Sequence, residues 1–442
     1  MPFDVQKCIE LHNSIVSHAC TNLPPERQPI LQRNWFEAHS LDASSPDLTL
    51  DDSLEAFLSG IDIVIPKENQ YLSFTPFLIG IASPGEMQPD GWENMEEYED
   101  FVLLYRGPGY DPGGLVYSQA TQQVCFILDP IDDPRECMWG DLHDVLELYL
   151  HLIDSEKFFV DAKDPAWDPG LDTQYWKFAE WTDEEMTLSL DAWASLVDAI
   201  TTRLPGKRGD ADDQPQAKKQ KVVEDDVLIP IEALKRYPAI PPFARAFLSR
   251  AKKPSFTSIA PQLDVPNEEF IHRIGAQLQE RYPDAKLSTL QHEIIRCPRF
   301  LLFPWRTPGV QFVSQAERNR WHTGHPSRIL DNRFGLYITP DVFYAHACSL
   351  LLPFQLGRNV LRGDGTTLDR PAQDALYQHG MCNPFLPGHG TPLAAILDNW
   401  LEQIENEHWQ VDAIGVTGES ALWKQADTEA HSKDFQPGWD CV

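Results

Sequence analysis

Apolar residues recur along this chain in two rhythms, one of three to four residues and one of two, and they divide it into short helices and strands. Val5, Cys8, Ile9, Ile15 and Val16 follow the helical rhythm, and Leu54-Glu-Ala-Phe-Leu predicts a second, shorter helix. The pattern then changes. Residues 71–81, 101–105 and 115–117 are β-branched and aromatic runs bounded by Gly and Pro, which predicts strands. Residues 114–128 predict a hairpin with Ser118-Gln-Ala-Thr at its tip, and an acidic loop over 129–136 separates it from a helix. That helix has Asp141 as its N-cap and carries Leu142, Val145, Leu146, Tyr149, Leu152 and Ile153 on one face. After an aromatic and acidic stretch over 167–181, Thr182-Asp-Glu-Glu185 has capping-box spacing. It opens a helix that runs through Met186, Leu190, Trp193, Leu196, Val197 and Ile200.

The second half repeats the mixture. One helix is capped by Asn267 and presents Phe270, Ile271, Ile274 and Leu278; another is expected over 341–352. A third starts with Thr391 as N-cap and Pro392 at the first helical position. Strands are expected at 300–303, 334–338 and 411–416. Between the halves, residues 204–226 are rich in Gly, Pro, Gln, Asp and Lys and have no apolar period. Such a segment cannot bury enough surface to fold alone. The fold class is therefore α+β: two mixed α+β domains joined by a disordered charged linker. The expected boundaries are 1–204, 205–227 and 228–442.

The succession of Phe101-Val-Leu-Leu-Tyr, Gly114-Leu-Val-Tyr and the helix over 141–154 resembles the Smi1/Knr4 (SUKH) class of fungal regulators and bacterial immunity proteins. The resemblance spans roughly residues 71–159 and implies a binding scaffold rather than an enzyme.

Charge changes the picture because it is lopsided. Of the 67 acidic residues, 38 stand in positions 1–200 with nine basic ones, while the remainder of the chain is near neutral with 29 acidic and 27 basic. An acidic first half repels phosphates and disfavours nucleic acid; it suits either plain solvation or a basic protein partner. No apolar run approaches the ~20 residues of a membrane span, and no secretory leader is visible. Eight irregularly spaced cysteines fit reduced thiols in an intracellular protein.

The linker contains Lys207-Arg208 and, beyond a spacer, Lys218-Lys219-Gln-Lys221. Two basic clusters across an extended spacer fit the two acidic pockets of an import receptor. They predict a bipartite nuclear-localisation signal, with the cytoplasm as the alternative location.

Candidate chemistry is confined to the second half. Arg296, Arg299, Arg306, Arg318, Arg320, Arg328 and Arg333 are opposed only by Glu317 and Asp331, with Trp305, Phe312 and Trp321 interleaved. Arginine forks pair with carboxylates or phosphates; by charge asymmetry these arginines are expected to pair internally or with a partner's carboxylates, while Arg318, Arg320 and Arg328 with His322 and His325 form an anion-binding candidate. His346-x-Cys348, His379-x-x-Cys382 and His389 match no tight zinc spacing, so no metal or other cofactor is expected. Gly107-Pro-Gly-Tyr-Asp-Pro-Gly-Gly lacks the Lys-Ser/Thr of a phosphate loop and is expected to be a turn. No nucleophile elbow is present, and no catalytic residue is nominated.

These features point to a non-enzymatic nuclear interaction or regulatory protein whose acidic first domain binds a basic partner. The competing reading is an enzyme or anionic-ligand-binding protein with its site in the second domain. The SUKH-like scaffold is a third.

Overall fold

The computed structural model describes residues 3–21, 23, 25, 28–40, 49–65, 73–88, 98–107, 113–127, 134–161, 176–179, 181–206, 226–281, 300–306, 333–340, 346–363, 365–368, 371–378 and 391–437. The chain is mixed α+β and divides into two compact units, one built from residues 1–179 and the other from 180–379 and 389–440. Among the described residues no helix is long and apolar enough to cross a membrane.

The first unit opens with α1 (Val5–Thr21), whose buried face is Cys8, His12, Ile15, Val16 and Ala19. Strand β1 (Ile30–Arg33), the short α2 (Trp35–Ala38) and α3 (Asp52–Gly60) follow, and β2 (Asp62–Ile65) pairs antiparallel with β1. Asp51 caps α3, its carboxylate accepting from the amides of Ser53 and Leu54 at 2.8 Å. The central sheet is an antiparallel meander of β3 (Gly80–Ile81), β4 (Phe101–Arg106), β5 (Gly114–Ser118) and β6 (Gln123–Ile127). Four of the six residues of β4 and all of β5 are buried. Their nearly continuous apolar runs are those of strands covered on both faces.

The β5–β6 hairpin is the expected one. Ser118 pairs with Gln123, and the tip turns through Gln122 at φ 58. The glycine-rich segment joins β4 to β5, strand to strand, and the Gly107 amide donates to the Gly113 carbonyl at 2.7 Å. Gly114 (φ 146) lies so close to the Tyr105 carbonyl that no Cβ fits there.

Helix α4 (Leu142–Asp154) packs on α1 and buries Leu142, Val145, Leu146, Tyr149 and Ile153. Asp141 occupies its N-cap position without a side-chain cap bond; its carboxylate accepts from the Gln123 amide at 3.3 Å instead. The unit closes with the antiparallel pair β7 (Phe158–Val160) and β8 (Trp176–Phe178).

The second unit begins with α5 (Asp183–Arg203), the helix expected to end the first domain. The capping box is complete: Thr182 accepts from the Glu185 amide, and the Glu185 carboxylate accepts from the Thr182 amide. Its buried face, Met186, Trp193, Leu196, Val197 and Ile200, belongs to the core of the second unit. The Trp193 ring stacks on Phe303 with centroids 5.6 Å apart, and its Nε1 donates to the Lys252 carbonyl at 2.8 Å. The boundary therefore falls one helix earlier than the expected 204/205. The charged segment, of which residues 207–225 lie outside the described residues, begins and ends inside the second unit. It is an insertion in that unit and not a connection between two.

Helices α6 (Ile231–Leu234), α7 (Pro242–Arg250) and α8 (Glu268–Arg281) come next, with β9 (Ser258–Ala260) and β10 (Leu263–Asp264) between the last two. Asn267 caps α8 as expected, accepting from the Phe270 amide at 2.9 Å. Strands β11 (Phe300–Pro304), β12 (Gly335–Pro340) and β13 (His346–Leu351) form an antiparallel sheet in that order. The helix expected over 341–352 is contradicted: its second half is β13, paired with β12 from His346 to Leu351. A short, fully buried apolar run suits either structure, and the partner strand decides.

Helix α9 (Leu393–Glu405) starts one residue later than expected. Pro392 takes the N-cap, while the Thr391 hydroxyl donates to the Tyr377 carbonyl at 2.9 Å. The strand expected over 411–416 is instead the hairpin β14 (Gln410–Asp412) and β15 (Gly415–Thr417), and β15 joins β9 in parallel. Gly415 (φ 112) abuts the Ser258 carbonyl at that junction, so a side chain there would push the two strands apart. The short α10 (Ser420–Lys424) brings Trp423 into an aromatic cluster with Trp400, Trp409 and Phe435.

Replacing Trp193 by Ala removes the Phe303 stack and the bond to Lys252, and is expected to cost about 3–5 kcal/mol. Thr182→Ala, which removes only the cap, is expected to cost about 1 kcal/mol. Hydrogen exchange by mass spectrometry locates the damage. Protection should fall in α9 and β11 and persist in the β4–β5–β6 meander.

Candidate functional site

The residues nominated from the sequence fall where the structure gives no account of them. Arg318, Arg320, Arg328, His322 and His325 lie outside the described residues, as do Lys207, Arg208, Lys218, Lys219 and Lys221. So do Arg296, Arg299, His379, Cys382 and His389. What is placed is their attachment to the second unit.

The insertion leaves from the C-terminus of α5, where Leu204 is buried. It returns at Asp226, whose carbonyl accepts from the Lys253 amide at 2.8 Å, and at Leu228, whose amide donates to the Ala251 carbonyl at 2.7 Å. On the departing side, Asp198 meets Lys252 at 2.6 Å, and Trp193 bonds the carbonyl of that same lysine. The returning stem and the body of α5 are thus both held on the segment 251–253, next to the C-terminus of α7.

The arginine-rich segment hangs from β11 and β12. At its start Arg306 donates from Nε to the Asp264 carboxylate at 2.8 Å, and its amide donates to the Gln262 carbonyl at 2.7 Å. This arginine is paired internally, within its own unit, although its Nη2 is buried without a hydrogen-bond partner. At the far end the Arg333 carbonyl accepts from the Tyr337 hydroxyl at 2.5 Å. Cys348 is buried in β13, and burial pushes its thiol far above the ordinary range, which suits a packing role and not a reactive one.

The most unusual titratable site among the described residues is one that sequence reading missed. His12, on the apolar face of α1, is 2% exposed and joins three elements. Its Nε2 lies 3.0 Å from the Asp62 carbonyl at the start of β2, and its Nδ1 lies 2.8 Å from the Tyr105 hydroxyl on β4. A carbonyl only accepts, so Nε2 carries the ring proton and Nδ1 accepts from the phenol. The ring stacks on Phe74 with centroids 4.7 Å apart and stands edge-on to Phe57 on α3.

Burial lowers the pKa of His12 to about 4, and the bond to the Asp62 carbonyl only partly opposes that effect. Burial also raises the phenol of Tyr105 well above its usual range. Both groups are neutral at pH 7, and neither touches a described group that would make it nucleophilic. The one available signal was position: Cys8, His12, Ile15, Val16 and Ala19 share a helical face, which places an imidazole in an apolar row.

A second cluster lies at the start of α4, where ligand atoms of Asp141, His143 and Asp144 come within 4.8 Å of one another. The Nε2 of His143 is already 3.1 Å from the Asp144 carboxylate, and a helix N-terminus disfavours a cation.

No protein family, curated protein or solved structure matches this chain. The likeness to the SUKH class rests on the residues quoted for it alone.

Tyr105→Phe leaves Nδ1 of His12 buried without a donor and is expected to destabilise the first unit by about 1–3 kcal/mol. Urea unfolding at pH 7.5 checks this, because His12 is neutral there in both proteins.

Proposed function

We propose that the chain is a non-enzymatic nuclear interaction protein, in which the acidic first unit takes a basic protein segment and the insertion in the second unit carries the import signal. The observation that carries the reading is how the few cations of the first unit are used. Lys7 lies 2.7 Å from Glu147, Arg33 3.8 Å from Asp62, Arg106 3.4 Å from Glu86 and Lys177 3.1 Å from Asp161. Each of these cations meets one carboxylate, and residues 1–179 carry 32 acidic against nine basic residues, an excess that sets the outward field of the first unit. Such a field attracts Lys/Arg-rich segments and repels nucleic acid.

The attachment of the insertion supports the second half of the proposal. Helix α5 and the returning residues Asp226 and Leu228 are both anchored on residues 251–253, so a receptor reading Lys207-Arg208 and Lys218–Lys221 would not have to unfold the second unit. The candidate partners are thus an import receptor and a basic protein; no step calls for a cofactor.

Localisation of the tagged protein tests the import half. Changing Lys207, Arg208, Lys218, Lys219 and Lys221 together to Ala should abolish nuclear accumulation and leave the unfolding curve unchanged. Equal cytoplasmic signal with and without the substitutions refutes it and turns attention to anionic ligands for the arginine-rich segment of the second unit.

The binding half is tested with a fluorescent Lys/Arg-rich peptide. Its affinity should fall on the order of tenfold between 50 and 200 mM salt, as expected where screening weakens exposed charge pairs. A Gln-substituted peptide should not bind.

A further inference from the structure

The His12 pocket does more than fill space, because a single small change of state would undo three contacts together. His12 ties α1 to β2 through the Asp62 carbonyl and to β4 through the Tyr105 hydroxyl, and its ring stacks on Phe74 and stands edge-on to Phe57. Both ring nitrogens end on neutral oxygens. We propose that His12 is an acid-operated latch on α1: uptake of a second ring proton drives the imidazole out of the Phe57–Phe74–Tyr105 pocket and releases α1 from β2 and β4.

The argument rests on what surrounds the ring. From β4 it meets the Tyr105 phenol, a neutral group whose proton already points at Nδ1. From β2 it meets a backbone carbonyl; the Asp62 carboxylate is turned to Arg33 at 3.8 Å. From α3 and the 73–79 segment it meets Phe57 and Phe74. On α1 itself, Cys8 stands one turn earlier with its thiol raised by burial to about 12, and is therefore neutral. The side chain of Asn13, next along α1, is committed to the Gly60 carbonyl and the Asp62 amide.

No carboxylate among the described residues is bonded to the imidazole. A buried charge with no partner is too costly to keep, so the ring either stays neutral or leaves. Leaving is consequential because the same helix face carries Cys8, Ile15, Val16 and Ala19, all buried. Their apolar row would be exposed with it.

The direction with pH follows from proton counting. The folded unit holds His12 down to about 4, while an unfolded histidine takes its proton near 6.5. Between those values the open state binds more protons than the closed one. The latch is therefore fully closed above about pH 6.5 and weakens progressively on acidification.

Hydrogen exchange on the intact chain at pH 7.5, 6.5, 5.75 and 5.0, corrected for intrinsic exchange, reads this directly. Opening of α1 and β4 peptides should rise on the order of tenfold per pH unit below 6.5. In His12→Gln, which keeps a donor for the Asp62 carbonyl and cannot titrate, that rise should shrink to whatever His39 contributes. His39 is also lowered by burial and sits against Trp35. Peptides from α5 and α9 are the internal control and should not respond to the substitution.

Equal slopes in the two proteins would overturn the latch. A second reading needs no variant: in the wild-type histidine 15N spectrum, His12 should remain the Nε2–H tautomer to below pH 5. Titration of that ring near pH 6.5 with exchange unchanged would show that the fold accommodates the charge, and would equally overturn the proposal.

Discussion

The packing of α5 against α9 and β11 is the contact on which the second unit depends. Trp193 lies flat on Phe303, and Phe303 in turn meets Trp400 of α9 at 5.9 Å, so one aromatic row joins residues more than two hundred positions apart. Trp400 continues the row to Trp409 and Trp423, and its Nε1 donates to the Tyr377 hydroxyl at 2.9 Å. Indole rings bury large areas and still place their N–H on a partner, which is why such rows hold irregular segments in place. Among the described residues this unit has two small sheets, β10–β9–β15–β14 and β11–β12–β13, and Phe303 of the row stands on the second. Asp427 shows the same economy in a polar form: its carboxylate accepts from the amides of Gly357 and Asn359 and fixes a loop seventy residues away.

That contact also explains what could and could not be read from the residues in order. The capping box at Thr182 and the face from Met186 to Ile200 are local, and both stand as the periodicity predicts. So do the β5–β6 hairpin and the Asn267 cap, whose signals lie within a few residues of the structure they specify. Which unit α5 joins is not local. Its partners are Phe303 and α9, and nothing near residue 200 announces them. The break in composition at 204 has the look of a boundary because a charged insertion and a charged linker are alike in sequence. The run at 346–351 failed for a related reason. Cys348, Leu350 and Leu351 suit a helix face as well as a strand, and only pairing with β12 decides.

The candidate chemistry divides in the same way. The basic clusters and the arginine-rich segment were visible because charge patterning is a property of sequence alone. His12 was not. It differs from an exposed histidine only through Asp62, Tyr105 and Phe74, which are fifty or more residues away and meet it solely in the fold. Sequence supplies the imidazole; burial supplies its behaviour.

Electrostatics in the two units follow from opposite uses of the same physics. At the surface of the first unit, charge is plentiful and each pair is weak, because solvent screens it; Lys7 and Glu147 are both about half exposed. Such pairs add little to stability, and they leave the acidic excess of the unit as it is. Inside the unit the position is reversed. His12 carries no charge near neutral pH, because burial lowers its pKa to about 4. The two uses differ in cost: an exposed pair is rearranged at little expense, while an added charge on this buried ring has no carboxylate bonded to it among the described residues to offset it.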